Sequence, residues 1–319
     1  MSESLSRQLS ARLPSETTTV VQSAEAFLGA QLDAQLDSKT VSFVDSSTIA
    51  ELEGTELSGN VIAVCDGTLQ SSIGWLPTRP WLSHVLSASM LDHPLATEHL
   101  TNVINTLTGG ERPRLLDWLG PTMSGRRVRL AQASRRVERL ERMSDFLDSK
   151  GVGARTIEHL RDAAEELLTN AFYDAPVSAG AVDHPISRTQ DVTLPDDDAC
   201  DLVYGCRDDL AIVRLRDPFG SLTRTRLVEV LTRCARTDMQ VEVDESMGGA
   251  GLGLWRIFSA ASFVAISVVS GRHTEFLVGI AKKSPGPRPF AFHLFFRDGK
   301  KRRRLVETSV TIAPDKADL

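Results

Sequence analysis

A chain of 319 residues, 41% of them hydrophobic, holds enough apolar material for more than one core, so two domains are expected. Thirty-six basic residues against 42 acidic ones leave a net charge of −6, which excludes a global polycation as the means of holding nucleic acid or a membrane surface. Met1 is followed by no apolar stretch of the signal-peptide kind, no run approaches the length of a membrane-spanning helix, and Cys65, Cys200, Cys206 and Cys234 lack metal-ligand spacing; a cytoplasmic protein with reduced thiols is expected.

Residues 1–16 carry Ser, Thr and Glu and little that could pack, which predicts a disordered terminus. From 17 to 108 the pattern alternates. Thr18 to Gln22 reads as a strand, Ala24 to Leu36 as a helix, Val41 to Val44 as a strand and Ser47 to Leu52 as a helix. Val61 to Cys65 and Leu82 to Leu86 then read as strands, and Leu95 to Leu107 as a helix. Apolar strands separated by helical patterns predict a parallel sheet covered on both faces.

This order resembles a response-regulator receiver domain. In that family an acidic pair ending the first strand holds magnesium, an Asp ending the third accepts phosphate, and Thr or Ser and Lys end the fourth and fifth. Asp66 ends the third strand here and Ser87 or Ser89 lies near the end of the fourth. Gln22 and Ser23 stand where the acidic pair would be, and no fifth strand with its Lys is evident. A metal would have too few oxygen ligands there to assist phosphoryl transfer. The resemblance implies a pseudo-receiver that docks a protein partner or dimerises, without phosphorylation of Asp66.

Residues 109–126, with Gly109-Gly110 and Gly120-Pro121, read as a linker. Arg126 to Leu147 reads as a helix with Leu130, Val137, Leu140, Met143 and Leu147 on one side, and Gly151 and Gly153 end it. The next helix carries Ile157, Leu160, Ala164, Leu167, Leu168 and Ala171 at three- and four-residue steps. On another face stand Asp162, Glu166, Asn170 and Asp174, four apart. A carboxylate and a carboxamide one turn apart form a platform for a hydrated divalent cation, although an ordinary solvated helix face has the same spacing.

Downstream, after the polar stretch Pro176 to Asp198, Cys200 to Tyr204 and Leu210 to Leu215 read as strands, the second ending in Asp217-Pro218-Phe219-Gly220. A strand-end Asp with Gly just after it can accept from an exocyclic amine while the backbone approaches a planar base. Gly249-Ala250-Gly251-Leu252-Gly253 then opens an apolar helix and can expose backbone N–H groups to phosphate. Thr274 lies at the turn between the strands Phe263 to Val269 and Glu275 to Ile280.

Glu-x-x-x-Asn on a helix, a strand-end Asp with Gly, Gly-x-Gly-x-Gly opening a helix and a Thr leading the last strand together resemble the ATP-binding domain of the gyrase, Hsp90, histidine-kinase and MutL family, over residues 127–283. The resemblance implies a two-layer α/β sandwich with a mixed sheet that binds ATP and magnesium. Glu166 would act at the γ-phosphate, and Asn170 would bind the magnesium. Asp217, with Gly220 after it, would accept from the adenine amine. Gly249, Gly251 and Gly253 would let a lid cover the phosphates, and Thr274 would support adenine. Phe219 stands where the family's pattern has its first Gly.

None of the seven His is followed by an acidic residue on a dimerising hairpin, so histidine-kinase self-phosphorylation is not expected. The layout is closer to the anti-sigma serine kinases, which phosphorylate a separate protein; the alternative is a non-catalytic switch in which bound ATP alters partner binding. In the segment 284–319, Pro289 to Phe296, Asp298-Gly299 and Leu305 to Ile312 read as a β-hairpin. Lys300 to Arg304 would protect its edge rather than hold nucleic acid. The aromatic arm is too apolar to stay exposed, and is expected to extend the nucleotide domain's sheet or to form a homodimer contact.

Overall fold

Runs such as Val61-Ile62-Ala63-Val64 and Phe263-Val264-Ala265-Ile266 contain no polar side chain, which suits strands covered on both faces. In the computed structural model, which describes residues 19–21, 41–53, 59–109, 114–235, 252–282, 287–299 and 310–312, such runs form the centre of the protein. β1 (Thr19–Val21), β2 (Val41–Asp45), β3 (Asn60–Cys65) and β4 (His84–Ser87) pair in parallel in that order. Between and after them come α1 (Ser46–Glu51), α2 (Leu69–Trp75), α3 (Ala88–Asp92) and α4 (Ala96–Thr108). A receiver sheet has the order 2-1-3-4-5, with its first strand inside. Here β1 lies at the edge, so the resemblance to a receiver does not extend to strand order.

The second group is β5 (Ser124–Leu130), α5 (Arg136–Ser149), α6 (Ala154–Thr169), α7 (Ala175–Ser178) and β6 (Val192–Thr193), followed by β7 (Cys200–Cys206) and β8 (Leu210–Asp217). It continues with α8 (Arg224–Ala235), α9 (Leu252–Ala260), β9 (Phe263–Val269) and β10 (His273–Ala281). Then come β11 (Ala291–Arg297) and β12 (Thr311–Ile312). Ten strands share one mixed sheet of order β1-β2-β3-β4-β11-β9-β10-β8-β7-β5. The protein is therefore α/β, with the strands expected in 17–108 and those expected in 127–283 in a single sheet.

β11 makes that continuity. It runs antiparallel to β4, pairing His293 with His84, and parallel to β9, pairing Leu294 with Ile266. It fills the slot beside β4 where a receiver's fifth strand would lie. The aromatic arm does extend the sheet, but the expected hairpin is not what the described residues form: Thr311–Ile312 pairs with β6 instead. Lys300 to Arg304 lies outside the described residues.

Ser124–Leu130 is an edge strand paired with β7, where a helix from Arg126 was expected. The deciding pattern is the two-residue alternation, in which Val128 and Leu130 join the apolar layer beneath α5 while Arg127 points away to Asp201. The expected linker is packed too: Leu115, Trp118 and Leu119 are buried, and Trp118 Nε1 donates to Thr106 Oγ1 at 3.0 Å. No helix among the described residues is long and apolar enough to cross a membrane.

Apolar layers cover both faces. Residues of α1, α2, α5, α6, α8 and α9 pack on one, and residues of α3, α4 and the Leu115–Leu119 turn on the other. α8 is tied to the first group at both ends. Arg224 Nη2 donates to the carbonyls of Leu82 at 2.9 Å and Arg79 at 3.2 Å, and Gln70 Nε2 donates to the carbonyl of Ala235. Arg207, at the β7–β8 turn, pairs with Glu98 of α4 at 2.7 Å.

Three imidazoles are buried where β4, β11 and α4 meet. His99 Nε2 and His293 Nε2 lie 2.9 Å apart, so one donates and the other accepts, and His84 stacks on His293 with ring centroids 5.6 Å apart. Phe263, Phe295 and Trp118 surround them. Burial pushes His84 down to about 3 and His99 to about 4, and holds His293 well below its usual value. All three stay neutral in the folded chain, whereas the unfolded chain takes up protons below about pH 6.5. Stability from these groups is therefore fully present above that pH and is lost as pH falls toward 4. Asp217, raised to about 6, and Glu166 and Asp174, also raised by burial, act in the opposite sense, while Asp45 and Asp201, lowered by their hydrogen bonds, act with the imidazoles. Urea unfolding should show falling stability from pH 7 to pH 5. His84→Phe should flatten that dependence by up to about 1.4 kcal/mol per pH unit; an unchanged slope would contradict the buried neutral imidazole.

Candidate functional site

α6 owes its position to the stripe Leu160, Ala164, Leu167 and Leu168, all buried against the sheet, where the helix packs across β8 and β10. This orientation leaves Glu166 and Asn170 half-buried on its flank. Asn170 Nδ2 donates to Glu166 Oε1 at 3.2 Å, so the carboxamide presents its oxygen Oδ1 to the space beside it. From Asn170 to Asp174 the helix widens into a π turn, a feature often found where a helix carries function. The four-residue spacing therefore ends at Asn170. Asp174 turns to Arg188, whose Nη2 bridges its two oxygens at 3.1 and 2.9 Å, and Asp162 is exposed.

α9 brings Gly253 directly onto Glu166. A β-carbon at 253 would lie 1.9 Å from Glu166 Cδ, so any side chain there would force the Glu166 carboxylate out of its place. Burial raises the Glu166 pKa, opposed by the hydrogen bond from Asn170 and the charges of Arg188 and Arg256. Asp174 is raised for the same reason, opposed by Arg188.

On the strands beneath, Asp217 and Thr274 are direct partners in the β8–β10 ladder and share a side-chain hydrogen bond. Asp217 Oδ1 also accepts from Phe219 N at 2.8 Å and Gly220 N at 3.4 Å. Burial nevertheless dominates and raises its pKa to about 6. Phe219, where the resembled family has Gly, is fully buried in the apolar layer with Leu160, Ala164 and Phe276. Gly220 has φ of +61°, and a β-carbon there would lie 2.3 Å from the Val269 carbonyl oxygen. Its role in this structure is to seat the β8 end against the β9–β10 turn.

Of the residues singled out from the sequence, Glu166, Asn170 and Gly253 meet at one point, and Asp217, Gly220 and Thr274 meet at the strand ends under the same helix layer. Gly249 and Gly251 lie outside the described residues. Arg188 and Arg256 were not foreseen. Arg188 sits in a polar stretch with no periodicity, and only the tertiary fold places it beside Glu166 and Asp174, where its guanidinium also lies over the Tyr173 ring at 5.3 Å.

At the other end of the sheet, Asp66 is exposed and follows β3, while Asp45 caps α1 by accepting from Thr48 N at 2.9 Å. Ser87 Oγ accepts from Met90 N at 3.2 Å and Phe290 N at 3.0 Å, so it serves as a cap and a tie to the chain entering β11. Among the described residues no cluster of three His, Cys, Asp or Glu is arranged to hold a metal. No protein-family model matches the chain, and no curated protein matches it significantly.

The contact between Gly253 and Glu166 is testable by a double-mutant cycle. Gly253→Ala should destabilise by about 1–3 kcal/mol through overpacking, and should cost less in a Glu166→Ala background, where the displaced carboxylate is gone. Additivity within about 0.5 kcal/mol in urea unfolding would contradict the packing described.

Proposed function

We propose that this chain binds magnesium-ATP between α6, α9 and the β8–β10 strand pair, and that it serves in signalling as a protein kinase acting on a separate protein, like the histidine-kinase and anti-sigma serine kinase branches of the family it resembles. The observation that carries the reading is convergence. Four motifs from distant parts of the chain supply a carboxylate–carboxamide pair, a glycine pressed against that pair and a buried Asp–Thr couple, all on the same side of one sheet.

The residues suit the proposed ligand. With Nδ2 given to Glu166, Asn170 Oδ1 is an oxygen donor. One such donor is enough for magnesium, which keeps several waters and takes its remaining ligands from phosphates. The ion would neutralise charge that builds on the phosphates during transfer. Arg188 and Arg256, both close enough to lower the Glu166 pKa, would face the phosphate end. Glu166 would accept the proton of the acceptor hydroxyl, a task helped by the rise in its pKa that burial causes. At pH 7 Asp217 would be mostly ionised and could accept from the adenine amine.

A separate acceptor is favoured by the histidines. His84, His93, His99 and His293 are buried, His159 lies on α6 itself with Arg155 Nε 3.4 Å from its ring, and the exposed His184 and the partly buried His273 are paired with Asp183 and Arg216. A second reading, a switch without phosphoryl transfer, is supported by the ties from Arg224 and Gln70, through which the state of α8 would be felt by α2.

Titration of the full chain with ATP, with and without magnesium, tests the site. Magnesium-dependent binding is expected and should be lost in Asn170→Ala. Glu166→Ala should retain binding while phosphate transfer or hydrolysis falls at least 100-fold. Binding without turnover above the Glu166→Ala level would leave the switch; no binding at all would remove both readings.

A further inference from the structure

The sheet face opposite α6 changes character along its strands. Where α4 and Leu115–Leu119 cover it, Val203, Ile212, Phe263, Ala265 and Leu277 are apolar and buried. Beyond that cover the same face becomes ionic. The register sets Arg129, Asp201, Arg216 and Glu275 in one row across β5, β7, β8 and β10, with Arg127 and Arg214 two residues away on the same side.

Arg214 is the hub of this floor. It is 3% exposed, with Nη1 2.7 Å from Asp201 Oδ2 and Nε bonded to Glu275 Oε1. Asp201 Oδ1 also takes Arg127 Nε at 2.6 Å. The two carboxylates are thus neutralised by Arg127 and Arg214. Burying ionised side chains at positions that valine could fill costs desolvation free energy and is weak as a stabilising device. It is effective, however, as a rigid support for charged groups above it.

A cavity of about 440 Å³ opens over the row, a volume in the range of small-molecule sites. Its donors come from three elements: Arg129 on β5, Arg216 on β8, and Arg272 and His273 at the β9–β10 turn. Arg129 donates to the backbone carbonyl of Asp196, and Arg272 forms no ion pair among the described residues. Arg216 Nη2 lies 3.1 Å from His273 Nδ1, which accepts, since a guanidinium only donates. Guanidinium groups from β5, β8 and the β9–β10 turn approach from different directions, as the several oxygens of a phosphate require. Asp197 and Asp198, on the remaining wall, suit hydroxyl groups on the rest of the ligand.

We infer that this cavity is a second ligand site, which takes a small hydroxylated phosphate ester on the face of the sheet opposite Glu166 and Asn170. Asp217 and Pro218 at the end of β8 also line the cavity, so it shares one wall with the proposed adenine contact, but its phosphate donors belong to no part of that reading. Calorimetric titration of the full chain with ribose 5-phosphate, and with ribose as the uncharged control, tests it. Ribose 5-phosphate should bind at least tenfold more tightly than ribose. Arg129→Gln, at an exposed position, and Arg272→Gln, at a half-buried one, should each weaken it at least tenfold without moving the thermal midpoint. Asn170→Ala should leave it unchanged. Equal binding of the two sugars, no binding of either, or a loss caused by Asn170→Ala and not by the arginine variants would overturn the proposal.

Discussion

The structure depends on one strand arriving from the far end of the chain. β11 hydrogen-bonds to β4 on one side and to β9 on the other, so the four parallel strands and the antiparallel group share a sheet only because it lies between them. Its side chains suit the place. Phe292 and His293 are fully buried, and withdrawing one phenylalanine ring from water is worth about 2–3 kcal/mol. The pairing of His84 with His293 closes a very long loop, but loop-closure cost rises only slowly with length, so the expense falls on folding speed more than on stability.

This arrangement also sets the site. β8 and β10 form a ladder whose register makes Asp217 and Thr274 partners, and β10 is itself held by β9, which lies against β11. Over that ladder α9 lays Gly253 against the Glu166 carboxylate of α6, and Asn170 donates to the same carboxylate. α8 lies between α9 and α2, and its Arg224 places a half-buried guanidinium on backbone carbonyls of the first group. The α6 side of the sheet and the first four strands are therefore mechanically continuous.

Much of this could be read from residue order. Strands with apolar runs, at Val61–Cys65, Leu210–Val213 and Phe263–Ile266, and the stripe on α6 were legible because both follow from short-range periodicity. The candidate site was legible in part because its motifs have internal spacing: Glu166 with Asn170, and Gly253 at the opening of its helix. What failed was decided by partners remote in sequence. The strand at Ser124–Leu130 hides in an arginine-rich run and is fixed by pairing with β7. Sequential order gave no warning that β1 would lie at an edge, or that β11 would take the place beside β4. Arg188, the Asp201–Arg214–Glu275 network and the imidazole cluster carry no local signature, because each is assembled by tertiary structure alone.

The central functional claim is that Asp217, held by Thr274 and the turn amides, reads the exocyclic amine of adenine. Comparing the affinities of ATP and inosine triphosphate, which differ at that amine, tests it most directly. The account predicts that wild type prefers ATP at least tenfold and that Asp217→Asn erases the preference while leaving the melting profile intact. Equal affinity of wild type for the two nucleotides would contradict it.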